Sequence, residues 1–190
     1  MSERTISAAF FMARDGEAGD ALEAMAARAG VTGARRGEGS AYERAHLRGR
    51  WAGLGAVVGA TRLAAHDCLQ IELREADFLA QRPLELPPEL ALAADPSLTL
   101  AEAFRDACLA LPAEAGAVLS LPQHNDPRAI AELYRDVLGA NPDALVRAAV
   151  GLLYLDERLG RGTVVPPGRD TLPVPRGLAV FAGHGRSRWY

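Results

Sequence analysis

The sequence predicts an α+β domain in which helices lie on one face of a mostly antiparallel sheet. Three observations carry that reading. Short apolar runs rich in β-branched and aromatic residues alternate with stretches of helical period, in the order β-α-β-β-α-β-α-α-β. Helix-start signals (the Thr99/Glu102 capping box, Asp126-Pro127 and Asn141-Pro142) punctuate those runs. Strands that follow one another without a helix between them pair as hairpins, and the helices then segregate to one side. A ferredoxin-like or duplicated split-βαβ arrangement is the favoured version, since the strand–loop–helix at 5–30 loosely parallels the one at 115–139.

Thr5 to Met12 reads as a short buried strand, ended by Asp15-Gly16. Glu3 before it and Arg14 after it argue against a secretory signal. A helix follows from Glu17 to Ala29, with Leu22, Met25, Ala26 and Ala29 on one stripe and Gly30 as its C′ residue. Val31 to Arg50 reads as irregular, with a short helix over Ser40–Leu47. Trp51 to Leu63 has no helical stripe and carries Gly53, Gly55 and Gly59, so it is expected as a single bulged strand. Ala64 to Asp67 turns the chain into an alternating strand, Cys68 to Leu73, with Leu69, Ile71 and Leu73 facing one way and Gln70 and Glu72 the other.

A proline-rich connector, Gln81 to Pro96, loosely divides a single domain into residues 1–80 and 97–190. The next helix is expected to start at Thr99, bury Leu100, Phe104, Ala107, Cys108 and Leu111, and stop at Pro112. Ala115 to Leu121 is a buried strand. Asp126-Pro127 opens a helix that includes Ile130, Leu133, Tyr134, Val137 and Leu138, and Asn141-Pro142 opens another running to Arg158. Gly160 to Pro167 is a loop and Gly177 to Ala182 a last strand, followed by residues 183–190.

Every basic residue other than the four histidines is arginine; lysine does not occur among the 190 residues. That removes a Walker-type phosphate lysine, a Schiff-base lysine and a lysine general base. The richness in Ala, Gly, Pro and Arg fits a GC-rich bacterium or its phage. A hydrophobic fraction of 49% and a charged fraction of 24% allow a core without metals or disulfides. The net charge of −3 argues against unspecific nucleic-acid binding. Cys68 and Cys108 lack redox or metal spacing, so a reduced, cytoplasmic setting is expected, with no cofactor and no metal. The longest uncharged apolar stretch, Trp51–Ala60, is half the roughly 20 residues a membrane span needs.

The candidate catalytic residues are His66, Cys68, His124 and Asp126. His66 and Cys68 share a strand face as base and nucleophile, while His124 and Asp126 sit between a strand end and a helix start. His184 is a further histidine in reach of a metal set, but no metal-binding spacing accompanies it. The candidate partner-binding residues are Arg35, Arg36 and Arg48, from a segment with six arginines and two acids over 28–50, and the tail residues Arg186, Arg188, Trp189 and Tyr190. Residues 72–106 carry the complementary acids. No catalytic spacing stands out, so the expectation is a non-catalytic interaction domain of immunity, adaptor or accessory type, binding a protein partner or its own copy. The alternative is a small hydrolase or transferase using a His/Cys or His/Asp site.

Overall fold

The computed structural model describes residues 4–14, 22–63, 65–80, 96–121, 152–165, 167 and 169–182. The first strand, β1, spans Thr5–Ala13, and the helix after it, α1, spans Leu22–Arg28. Gly30, at φ 84°, lets the chain leave α1 with Gly30 N donating to Ala27 O and Val31 N to Ala26 O, the paired closure of a Schellman turn. The segment expected to be irregular holds two strands, β2 (Thr32–Arg36) and β3 (Leu47–Trp51), with α2 (Ala41–Ala45) between them. The expected single strand over Trp51–Leu63 is instead the end of β3, a two-residue turn at Ala52-Gly53, and β4 (Leu54–Arg62). Both turn residues have positive φ, 50° and 79°, which turns the strands back with the twist a hairpin needs.

Strand β5 spans His66–Arg74 and runs straight into α3 (Glu75–Ala80). Helix α4 spans Pro96–Ala110, so Thr99 lies inside the helix and does not cap it. Proline at the first helical position needs no hydrogen-bond partner for its nitrogen, which permits the earlier start. After β6 (Ala115–Leu121) the next described element is β7 (Leu152–Leu155), where the sequence had suggested the end of a long helix. The Leu-Leu-Tyr-Leu run is buried at all four positions. A strand covered on both faces has no polar side, so its apolar run mimics a buried helix. Asp156 then caps the short α5 (Glu157–Gly160), its carboxylate accepting from Leu159 N at 2.8 Å. Strands β8 (Arg169–Leu172) and β9 (Leu178–Ala182) complete the set. The helices expected between Asp126 and Gly151, and the tail 183–190, lie outside the described residues.

The nine strands among the described residues form one sheet in the order β2-β3-β4-β5-β1-β6-β7-β9-β8, antiparallel at every pair. The protein is thus a mixed α+β structure with a large antiparallel sheet, larger than the four strands of a single β-α-β-β-α-β unit. One face of the sheet, with Ile6, Ala8, Phe10, Val58 and Ile71, packs against Met25 and Ala26 of α1, Phe78 of α3, Leu100 and Phe104 of α4, and Leu111 just after it. Phe10 anchors that layer: its ring meets Trp51 edge-on at 6.1 Å and Phe104 at 5.4 Å. Trp51 Nε1 donates to Ala29 O at 2.9 Å, tying β3 to the end of α1. The other face holds a smaller apolar cluster of Ala9, Phe11, Cys68, Ala115, Ala117, Leu153 and Leu155, against which Leu159 of α5 packs. So α1, α3 and α4 share one face, and α5 sits on the opposite one.

Candidate binding face

Strand β5 places Cys68 and His66 on the same face, as alternation requires, but gives them different surroundings. Cys68 is 1% exposed in the apolar cluster of the second face, and burial pushes its thiol up to about 12. It stays protonated at neutral pH and is packed as a small core residue. The imidazole of His66 instead meets Glu114, with Nε2 2.8 Å from Oε2, and Arg158 Nη2 reaches the same oxygen at 3.1 Å. Asp67 lies 3.7 Å from Arg14 and 3.6 Å from Arg62. These contacts clamp the β1, β5 and β6 ends to α5. The structure thus places Cys68 in the apolar cluster and His66 against Glu114, on one strand face but in different surroundings. His124 and Asp126 lie outside the described residues. Among the described residues no three metal-ligating side chains converge.

The second face of the sheet carries a polar strip that the sequence reading did not assemble. Following the strand pairing, one cross-strand row reads Arg35, Arg48, Val57, Glu72 and Ser7, from edge strand β2 inward to β1. The arginines are exposed, Val57 is half-buried, and Glu72 and Ser7 are buried, at 4% and 1% exposure. Gln70, 6% exposed, stitches the inner end: its Nε2 donates to Ser7 Oγ at 3.0 Å and to Glu72 Oε1 at 2.9 Å. Gln70 and Glu72 do face away from the leucines of β5, as alternation predicts, but that side is not solvent. Neighbouring Gly59 pairs with Gln70, and a Cβ there would lie 2.8 Å from the His46 ring. The missing side chain gives His46 its seat on this face.

Next to the row, a cavity of about 250 Å³ is lined by Thr5, Glu72 and Val57 together with Arg48, Arg74 and Asp77. The Thr5 hydroxyl, 2% exposed, lines it with no hydrogen-bond partner among the described residues. A buried hydroxyl without a partner costs about 1–3 kcal/mol, which a polar group entering the cavity would recover.

The strip depends on the edge ribbon. Arg35 and Arg48 are directly opposite across β2 and β3, and Arg50 follows two residues along β3 on the same face. Gly49, between Arg48 and Arg50, is required on the helix-bearing face, because a Cβ there would stand 2.8 Å from both Thr32 O and Val31 Cγ1. Arg36 points elsewhere: its Nε donates to Glu23 Oε1 and its Nη1 to Arg44 O at 3.1 Å, binding β2 to α1 and α2. That hydrogen bond holds the Glu23 carboxyl below its ordinary range. Of the arginines expected to meet a partner, the structure therefore aligns Arg35 and Arg48 and uses Arg36 internally. Arg186, Arg188, Trp189 and Tyr190, and with them His184, lie outside the described residues.

Comparison with known proteins finds no matching family model, no matching curated protein and no matching solved structure. No helix among the described residues is long and apolar enough to cross a membrane.

Proposed function

We propose that the chain is a non-catalytic protein-interaction domain of adaptor or immunity type, whose β2–β3 ribbon receives an acidic, extended segment of a partner protein. The observation that carries this reading is the direct opposition of Arg35 and Arg48. Like charges facing each other across an antiparallel pair destabilise the fold, whereas a carboxylate seated between two guanidinium groups turns the same geometry into a bidentate site. Strand β2 is the first strand of the sheet order, so a partner strand can add along its outer side with its acidic side chains over Arg35 and Arg48.

The split-βαβ reading of the chain belongs to the same proposal. Strand β5 lies between β1 and β4, and β9 lies between β7 and β8, so each half inserts its last strand between two earlier ones. In that reading the β2–β3 ribbon is an addition to the first half, at the far edge from the second.

Fluorescence anisotropy with a labelled peptide of alternating Glu and Val tests the function. Binding should weaken by tenfold or more in Arg35→Glu/Arg48→Glu and fall as salt rises, while a Lys/Val peptide should not bind. Equal binding by the wild type and the double variant refutes the ribbon as the site. Tighter binding of a duplex DNA of similar length moves the ribbon to nucleic acid. A concentration-dependent dimer lost in the double variant makes a second copy the occupant.

A further inference from the structure

A second concavity, of about 680 Å³, opens on the other side of the molecule between the end of α4, the β7–α5 turn and the β8–β9 loop. Its size falls in the range that holds small organic ligands, roughly 300–1,000 Å³. Leu109, Pro112 and Ala113 on one side and Pro175 on the other give it apolar walls. Tyr154 forms part of the lining; it is 5% exposed, and its hydroxyl makes no hydrogen bond among the described residues. Burial, with Cys108 and Asp156 nearby, raises the phenol's pKa, so it keeps its proton and can donate it to an acceptor.

The charges at the rim select the acceptor. Arg158, Arg161 and Arg176 line the concavity against two carboxylates, Asp156 and Glu157. Asp156 is already committed, since its Oδ1 accepts from Leu159 N. Glu157 is 61% exposed and 3.9 Å from Arg161, a loose surface pair. Arg158 is held by Glu114 through one Nη2 contact, which fixes the guanidinium and leaves its other N–H groups for a ligand. Arg176 has no ion-pair partner among the described residues.

The geometry points to a site for a small organic anion, a carboxylate or phosphate ester whose head meets the Arg158/Arg161/Arg176 rim and the Tyr154 hydroxyl while its apolar body lies along Leu109, Pro112 and Pro175. This site is independent of the β2–β3 ribbon. The residues come from three separate elements, and no cysteine or histidine chemistry is required.

Ligand-observed NMR and calorimetry with sodium benzoate, benzyl alcohol, phenyl phosphate and inorganic phosphate test it on the full chain. Benzoate or phenyl phosphate should bind saturably with Kd of about 0.1–1 mM, and benzyl alcohol at least tenfold more weakly. Whichever of the two aromatic anions binds more tightly identifies the head group. Arg161→Gln/Arg176→Gln, at exposed positions, should weaken the anion tenfold without changing the circular dichroism spectrum, and Tyr154→Phe should weaken it about three- to tenfold. Arg35→Glu should leave it unchanged, which separates this site from the ribbon. Benzyl alcohol binding as well as benzoate, undiminished binding in the double variant, or no saturable binding of either aromatic anion overturns the assignment. Binding of inorganic phosphate as tightly as phenyl phosphate also overturns it, because the apolar walls then contribute nothing.

Discussion

Reversing the charge of Arg35 should raise the stability of the free protein while weakening its hold on an acidic partner. Arg35 faces Arg48 across β2–β3, and directly opposed residues of an antiparallel pair have Cβ atoms about 4.5–5.5 Å apart. The long side chains can splay, but two unit charges about 7 Å apart in water still repel by about 0.6 kcal/mol. Arg35→Glu makes the same geometry attractive, so the change approaches twice that value before screening. For exposed side chains about 0.5–1 kcal/mol survives. In a chain of 190 residues this corresponds to a rise in Tm of about 1–4 °C. Thermal and urea unfolding at about 20 mM and about 500 mM NaCl make the assay, because the Debye length falls from about 20 Å to about 4 Å between them. The gain should be clear at low salt and largely gone at high salt, with Arg35→Gln about halfway. A lower Tm for Arg35→Glu, or a gain that persists at high salt, refutes the argument that the opposed arginines cost the fold anything.

Three further perturbations have outcomes fixed by the same structure. Ala52 holds φ 50° in the β3–β4 turn, a conformation that suits Asn and Gly better than Ala, so Ala52→Asn should add about 0.5–1 kcal/mol, read as a shift of the urea midpoint at constant m-value. Cys68 should resist iodoacetamide in the native protein at pH 7.5 and label only on unfolding; because its folded pKa is raised from 9.0 to about 12, the unfolded chain loses this proton first, and stability that is complete below pH 9 should decline as pH climbs toward 12. Rapid native labelling would contradict the burial of the thiol. Gln70→Leu takes the donor from Ser7 Oγ and Glu72 Oε1 and should cost about 1–3 kcal/mol, whereas Gln70→Glu sets two carboxylates side by side, costs more at pH 7, and should regain stability as pH falls toward 5, seen in denaturant melts across that range.

The elements that could be read from the sequence were those whose burial is one-sided or whose ends are chemically marked. Strand β1, helix α1 with Gly30 beyond it, the β4–β5 hairpin, β6 and β9 all carry such marks, and each lies within a few residues of its expected place. The misses share physical causes. Strand β3 alternates correctly, with Leu47 and Trp51 inward and Arg48 and Arg50 outward, but its central inward position is Gly49, which erases the apolar middle of the pattern. Strand β2 is exposed or half-exposed throughout, so no burial signal exists to find. The turn that separates β3 from β4 is Ala-Gly, which lacks the asparagine or aspartate that advertises a two-residue hairpin. Strand β7 is buried on both faces, as β1 is, but its four-residue apolar run continues the helical pattern that opens at Asn141-Pro142 and so is absorbed into it. For the candidate site, Arg35 and Arg48 were visible as residue types, but their opposition depends on a register that no local pattern encodes. Glu72 and Gln70 looked like the outer side of an ordinary strand; only a sheet extending to both sides of β5, with covered faces, turns them into an internal polar strip.

An edge strand rich in arginine has a simpler explanation than recognition, because charge along an edge discourages unwanted strand pairing. That explanation covers Arg35 and Arg36, which stand on β2. It does not cover Arg48 and Arg50. Strand β3 has β2 on one side and β4 on the other, so its backbone is already paired and offers no edge to guard. A protective charge is also cheapest where its cross-strand neighbour is neutral or opposite, yet Arg48 is set directly against Arg35. A ribbon two strands wide with its guanidinium groups on one face is what an acidic ligand needs and what edge protection does not. The row then continues inward to the buried carboxylate of Glu72 and the amide of Gln70, so the cationic surface is anchored to a polar interior and held in register by it. If the arginines served the edge alone, neutralising Arg48 would leave partner binding untouched; if they form a receiving surface, Arg48→Gln should weaken binding of the Glu/Val peptide about as much as Arg35→Gln, and the two effects should not add.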